Sequence, residues 1–121
     1  MMRISLPGWH AVPKKRPRVT RNGTYMPPGY MDWKQETAFQ MRLASASAEP
    51  ATCLLRVEVL IVAKKKPRGD MDNLLGAVLD AGNGVLWQDD RLVGACSCAW
   101  LKPTAERSDG VYVEVSEWTA S

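Results

Sequence analysis

Asp70 and Asp72 stand two residues apart with Asn73 beside them, and the adjacent pair Asp89 and Asp90 follows after a Gly-Asn-Gly turn and Trp87. The stretch reads GDMDNLLGAVLDAGNGVLWQDD from Gly69 to Asp90, and Lys64-Lys65-Lys66-Pro67-Arg68 comes directly before it. Carboxylates bracketing one short helix, next to concentrated positive charge, point to divalent-metal chemistry on a negatively charged substrate. Mg²⁺ takes oxygen ligands, commonly one or two carboxylates per ion with substrate phosphate completing the shell.

Three explanations compete for these acids. Asp and Asn collect before helices because their side chains accept free backbone N–H groups and because the helix dipole favours negative charge there. That covers Asp72 or Asn73, but one helix start needs one cap, so Asp70 and the Asp89–Asp90 pair are left over. A calcium loop would need oxygen ligands at regular odd positions, a central Gly and a closing Glu. Leu74 and Gly76 sit where ligands would be required, which rules it out. The third explanation is a catalytic Mg²⁺ or Mn²⁺ site. An extended 69–72 segment would project Asp70 and Asp72 from one face, and a return after the turn at 83–84 would bring Asp89 or Asp90 beside them. An ion so held polarises a phosphodiester and stabilises the leaving oxygen. Spacing alone leaves the capping and metal explanations about level.

The elements that must position these groups follow from periodicity. Arg3 to Leu6 reads as a short strand, ended by Pro7 and Gly8. Residues 12–30, VPKKRPRVTRNGTYMPPGY, put Lys14, Lys15, Arg16, Arg18 and Arg21 within eight positions among prolines and an Asn22-Gly23 turn. An extended basic arm or loop is expected there, a phosphate clamp with Tyr25 and Tyr30 available for polar or stacking contacts. Asp32 reads as the N-cap of a helix to about Ala46. One stripe of that helix is Trp33, Thr37, Met41 and Ala44; the other is Phe39, Leu43 and Ala46, which suggests burial against a sheet and against a second surface such as a partner subunit.

Leu54 to Ala63 alternates as a half-buried strand and runs straight into the basic tract. A second helix follows, with Leu75, Val78 and Leu79 buried and with Gly82 and Gly84 as its stop and turn. Val85 to Trp87 reads as a short strand. Leu92 to Leu101 and Val111 to Val115 read as two more, joined as a hairpin. The fold class expected is α+β, one small domain over residues 1–121, with a mixed sheet and two main helices.

Charge is divided along the chain. Residues 1–68 hold 13 Lys/Arg against 4 Asp/Glu, a balance of +9, and residues 69–121 hold 3 against 9, a balance of −6. A phosphate-binding surface beside a carboxylate cluster fits that division. Cys53, Cys96 and Cys98 lack metal-site spacing with the single His10, so packed, reduced thiols are expected. No apolar run reaches the roughly 18 residues of a membrane span, and the first ten residues are too interrupted for a signal peptide. A cytoplasmic protein is the expectation, with Trp87 and Trp100 as core aromatics.

At PRGDMDNLLGAVLDAGNGVLWQDDRLV the chain resembles the RusA family of Holliday junction resolvases, crossover junction endodeoxyribonucleases. That family's signature runs Asp-x-Asp-Asn, a Lys three residues on, an Asp-Ala-Leu-Asn-Gly-like turn and a closing Trp-x-Asp-Asp. VPKKRPRVTRNGTYMPPGYMDW also resembles the basic arm of phage and prophage members. The resemblance implies a homodimeric, Mg²⁺-dependent endonuclease (Mn²⁺ a possible substitute) that binds four-way DNA junctions and nicks two strands symmetrically. By position it implies that Asp70, Asp72 and Asp90 are the catalytic metal ligands, that Asp89 supports them and that Asn73 orients a carboxylate or caps the helix. Lys14, Lys15, Arg16, Arg18, Arg21, Lys65, Lys66 and Arg68 would hold DNA phosphates, in a bacterial or phage-infected cell. One departure stands out: the chain has Gly76 where the family has its Lys, and Gly82 replaces the Leu of the turn. Either a nearby base such as Lys65, Lys66 or Arg68 substitutes, or the protein binds junctions with weak or lost cleavage. A nuclease of broader taste for branched DNA is the third reading.

Overall fold

Strand β4, Leu55–Val62, is the element on which the others are assembled. Its residues alternate as the sequence requires: Leu55, Val57, Val59 and Ile61 are buried, whereas Arg56 and Glu58 are exposed. The structure, a computed structural model, describes residues 2–15, 17–25 and 28–120, without the side chains of Arg18 and Tyr25. In chain order the elements are β1 (Met2–Pro7), β2 (Arg18–Thr20), β3 (Gly23–Tyr25), α1 (Pro28–Ala44), β4, α2 (Met71–Gly82), β5 (Val93–Leu101) and β6 (Gly110–Glu117), with a single 3₁₀ turn at Asp90–Leu92. The fold is α+β: a mixed four-stranded sheet in the order β1-β6-β4-β5, with β2 and β3 as a separate two-stranded ribbon.

β4 and β5 run parallel, with Leu55 opposite Val93 and Val62 opposite Leu101. β6 lies antiparallel on the other side of β4, pairing Leu55 with Glu117 and Val62 with Gly110, and β1 pairs antiparallel with β6. The exits of β1, β4 and β5 and the entry of β6 therefore share one end of the sheet. Both helices cover the same face: Tyr30, Trp33 and Met41 of α1, and Leu74, Ala77, Val78 and Ala81 of α2, join the inward residues of β1, β4 and β6 in one apolar core. The opposite face carries Arg3, Glu58 and Glu114, with Arg3 Nε 3.6 Å from a Glu114 carboxylate oxygen. No helix among the described residues is long and apolar enough to cross a membrane.

Several expectations are corrected. β5 and β6 do not form a hairpin, because β4 lies between them; consecutive strands read as neighbours, but a parallel β4–β5 pair needs a crossover, and α2 supplies it. The basic arm is a short ribbon rather than unpaired chain, with Thr20 opposite Gly23. Helix α1 begins at Pro28, before Asp32, since Pro is well suited to a first helical position. That start places Tyr30 in the first turn facing the core, where its hydroxyl donates to Asp80 at 2.8 Å. Burial first, and then that bond to Asp80, holds the Tyr30 phenol above its ordinary pKa. Tyr30 is thus a structural residue and is not free to stack on a base.

The second stripe of α1 is exposed, with Phe39 and Leu43 more than half accessible. Val85 to Trp87 is a turn that makes single bridges to Ala51 and Asn83. Cys53, in the loop before β4, and Cys96, on the edge strand β5, are exposed, contrary to the expectation of packed thiols; Cys98 is half-buried, and burial pushes its thiol up. Trp87 is fully buried, and Trp100 is half-buried with its indole N–H on the Ala63 carbonyl at 2.9 Å.

Two glycines of α2 have different reasons to be glycine. At Gly82 a Cβ would come within 2.6 Å of the Trp87 ring, so the residue is small to admit the indole, and the left-handed turn falls instead to Gly84 at φ +79°. At Gly76 a Cβ would meet only the Lys14 side chain, at 3.5 Å. Gly82→Ala should destabilise the protein by about 1–3 kcal/mol through overpacking. Gly76→Ala should stabilise it by up to about 1 kcal/mol through helix propensity. Urea unfolding of the two variants reads both, and equal signs would contradict this packing.

Candidate metal and nucleic-acid site

Asp70 occupies the N-cap position of α2, with φ −75° and ψ 150°, yet its side chain makes no capping hydrogen bond. The first turn is closed by its backbone instead, as the Asp70 carbonyl accepts from Leu74 N–H at 3.0 Å. The exposed Asp70 carboxylate is thus left free at the positive end of a helix. Asp72 and Asn73 lie in the first turn, both exposed, and Asp72 Oδ1 accepts from Asn73 N–H at 3.0 Å. The cap expected at Asp72 or Asn73 falls two or three residues earlier, at Asp70. The extended 69–72 segment is also not realised, because the helix has already begun at Met71.

The root of the basic arm is fastened to this helix start. Gly69 has φ +97°, and a Cβ there would sit 2.7 Å from Pro13, so only glycine suits both the turn and the contact. The next residue, Lys14, donates its backbone N–H to the Asn73 carbonyl at 3.0 Å. Further back, Trp9 donates its indole N–H to Thr37 at 2.8 Å, and the Trp33 indole donates to the His10 carbonyl at 2.9 Å, which ties residues 9–10 to α1. Lys66 Nζ donates to the Gly69 carbonyl at 3.2 Å. A cavity of about 440 Å³ at this end is lined by Trp9, His10, Pro13, Lys65 and Arg68.

Asp70, Asp72, Asn73, Lys14, Lys65, Lys66 and Arg68 are therefore brought to one end of the sheet. Lys15 continues the arm root, exposed, and Arg21 is exposed at the tip of the β2–β3 ribbon. Arg16, and the side chain of Arg18, lie outside the described residues.

Asp89 and Asp90 are not part of that group. Trp87 packs against Gly82 at the far end of α2, Gln88 N–H bonds the Ala51 carbonyl, and Asp90 opens the turn that leads into β5 beside the start of β4. The twelve residues of α2 separate the two carboxylate pairs by about 18 Å at 1.5 Å per residue. Oxygens sharing one Mg²⁺ lie within roughly 4 Å of each other. Among the described residues, no group of three or more His, Cys, Asp or Glu is arranged to hold a metal. The expected return of the chain toward Asp70 does not occur, because the turn at 83–84 feeds a parallel strand that must start at the opposite end.

Asp89 is engaged locally. Its Oδ1 accepts from Arg91 N–H at 2.9 Å, and Oδ2 lies 3.4 Å from Arg91 Nε. The backbone N–H of Arg91 foremost, and then its guanidinium charge, hold the Asp89 carboxyl below the ordinary carboxylate range. The Arg91 backbone donor was not foreseeable from spacing; the signal was only an Asp two residues before an Arg. A depressed carboxyl favours the folded turn above the ordinary Asp pKa, and that contribution fades as the pH falls through the lowered value. In Arg91→Ala the carboxyl of Asp89, followed by NMR titration, should rise only part of the way to the ordinary Asp value. A full return would show that the guanidinium, not the backbone, carries the effect.

A family model described as endodeoxyribonuclease RusA matches residues 8–116 of the 121-residue chain. No curated protein matches it.

Proposed function

We propose, from the premise that this chain belongs to the RusA endodeoxyribonuclease family, that it is a Mg²⁺-dependent nuclease which binds four-way DNA junctions as a homodimer. It nicks two strands symmetrically, in the cytoplasm of a bacterial or phage-infected cell. The observation that carries this reading is the free carboxylate of Asp70, held uncapped at a helix start and surrounded by lysines from two separate stretches of chain. A carboxylate kept only for stability would be expected to cap that helix.

Asp70 and Asp72 suit a hard cation by chemistry, being exposed oxygen donors at one end of α2, but Asp90, the third ligand that the family resemblance implies, lies beyond the far end of that helix, whose length is about 18 Å. A second copy is therefore part of the proposal: Asp90 of one protomer completes the pair formed by Asp70 and Asp72 of the other, with Asp89 fixing the turn that presents it. Mg²⁺, or Mn²⁺ in its place, would supply charge stabilisation at the scissile phosphate and an activated water. The residues of the chain bind and orient the rest. Lys65 and Arg68 hold phosphates at the mouth of the site, Lys66 steadies the 66–69 loop, and Lys15, Arg16, Arg18 and Arg21 extend the contact along a junction arm. Two equivalent sites related by a two-fold axis match the two equivalent strands of a branched substrate. The other reading favoured by an observation is junction binding without turnover, because α2 is bare at Gly76. Under it, Mg²⁺ or Mn²⁺ at any concentration leaves a bound junction uncut.

Mixed dimers decide both questions. Asp70→Asn and Asp90→Asn homodimers should each lose nicking by at least about a hundredfold. A heterodimer of the two, isolated with two tags, should regain one site and convert a cruciform plasmid to nicked circles without linear product. Heterodimers as inactive as their parents would overturn the shared site. Uncut plasmid with the unsubstituted protein would overturn the nuclease.

A further inference from the structure

The geometry points to Lys14 as the residue that supplies the active-site cation α2 itself lacks, holding the scissile phosphate beside Asp72. This inference rests on the nuclease reading above.

Asp72 and Gly76 are four residues apart on α2, and residues at that spacing lie on one face with Cβ positions about 5–6 Å apart. Across the bare backbone at Gly76 runs the stem of Lys14: a Cβ at Gly76 would be 3.5 Å from Lys14 Cδ and 3.9 Å from its Cβ. Those are ordinary packing distances, so the stem lies against the helix surface on the side where Asp72 emerges. The backbone beneath it is held by two further contacts, Lys14 N–H on the Asn73 carbonyl at 3.0 Å and Pro13 against Gly69. Lys14 is thus a residue of the arm by sequence and of the helix face by position.

Its side chain remains exposed, and among the described residues its ammonium forms no ion pair. The two other lysines weighed for this task differ. Lys66 donates to the Gly69 carbonyl, and Lys65 lines the cavity formed with Trp9, His10 and Pro13. Gly76 and Lys14 then form a complementary pair: the absent side chain on the helix makes the bed in which the stem of an incoming lysine lies. A positioned ammonium there would stabilise charge developing on the phosphate, in a place where a lysine on the helix would do the same.

Lys14→Met keeps the stem and removes the charge. At protein concentrations that saturate a labelled four-way junction, its single-turnover nicking rate should fall about tenfold to a hundredfold. Lys14→Arg should stay within a few-fold of the parent protein. The double variant Lys14→Met, Gly76→Lys should recover most of the rate by returning the charge to the helix. Nicking by Lys14→Met at the parental rate under saturation would overturn the assignment while leaving the nuclease intact. So would a loss that Gly76→Lys fails to restore. A parental protein that binds the junction and never cuts it would remove the nuclease reading and this one together.

Discussion

Parallel pairing of β4 with β5 is the constraint from which the rest of the molecule follows. Two parallel neighbours cannot be joined by a tight turn, so the chain leaving β4 must travel back along the whole sheet before β5 can begin. Helix α2 makes that journey with Leu74, Ala77, Val78 and Ala81 against the sheet. Whatever chemistry the motif carries at its two ends is consequently held apart by the length of the strands. Asp70 and Asp72 lie where β4 leaves, and Asp89 and Asp90 where β5 enters. A sequence motif that looks like one cluster is, in a single chain, two acidic pairs at opposite ends of the sheet.

The same topology gathers positive charge at one of those ends. β1 and β4 both terminate there, and a basic segment follows each: residues 14–21 after β1 and 64–68 after β4. Neither segment approaches the other in sequence. They meet because Pro13 nests on Gly69 and Lys14 bonds to Asn73. Lys14, Lys65, Lys66 and Arg68 around two exposed carboxylates would be self-defeating as a stability device, since among the described residues none of them forms an ion pair. As a surface for a polyanion carrying its own counterions, the arrangement is coherent.

Much of this was legible in the sequence, and the illegible parts share a cause. The alternation of β4 is a local pattern, and the strand forms where it lies; α2 also forms where expected, but Leu74, Ala77 and Ala81 join Val78 in the core, whereas Leu75 and Leu79 are only partly buried. Asp32 offers a cap, but α1 starts earlier, at Pro28, where the tertiary contacts of Tyr30 and Trp33 hold its first turns. The neighbours of β6 are not those that adjacency in sequence suggests, because β4 lies between β6 and β5. Asp70 and Asp72 could be read from spacing; that Asp90 would sit at the opposite end could not, because spacing carries no direction. The glycines were hardest of all. Gly82 looks like a helix stop and is instead room for Trp87, and Gly76 looks like a missing lysine and is instead the bed of another.

β1 has one neighbour in the sheet, β6, and its register sets Met2 opposite Val115. β4, the central strand, has both of its neighbours still to come when it is made. On a ribosome, then, β1 emerges long before the strand it pairs with, and its backbone edge stays unpaired until β6 has left the exit tunnel. Such long-range pairing is slow to form, and during that interval an unpaired strand edge is available to any neighbouring nascent chain.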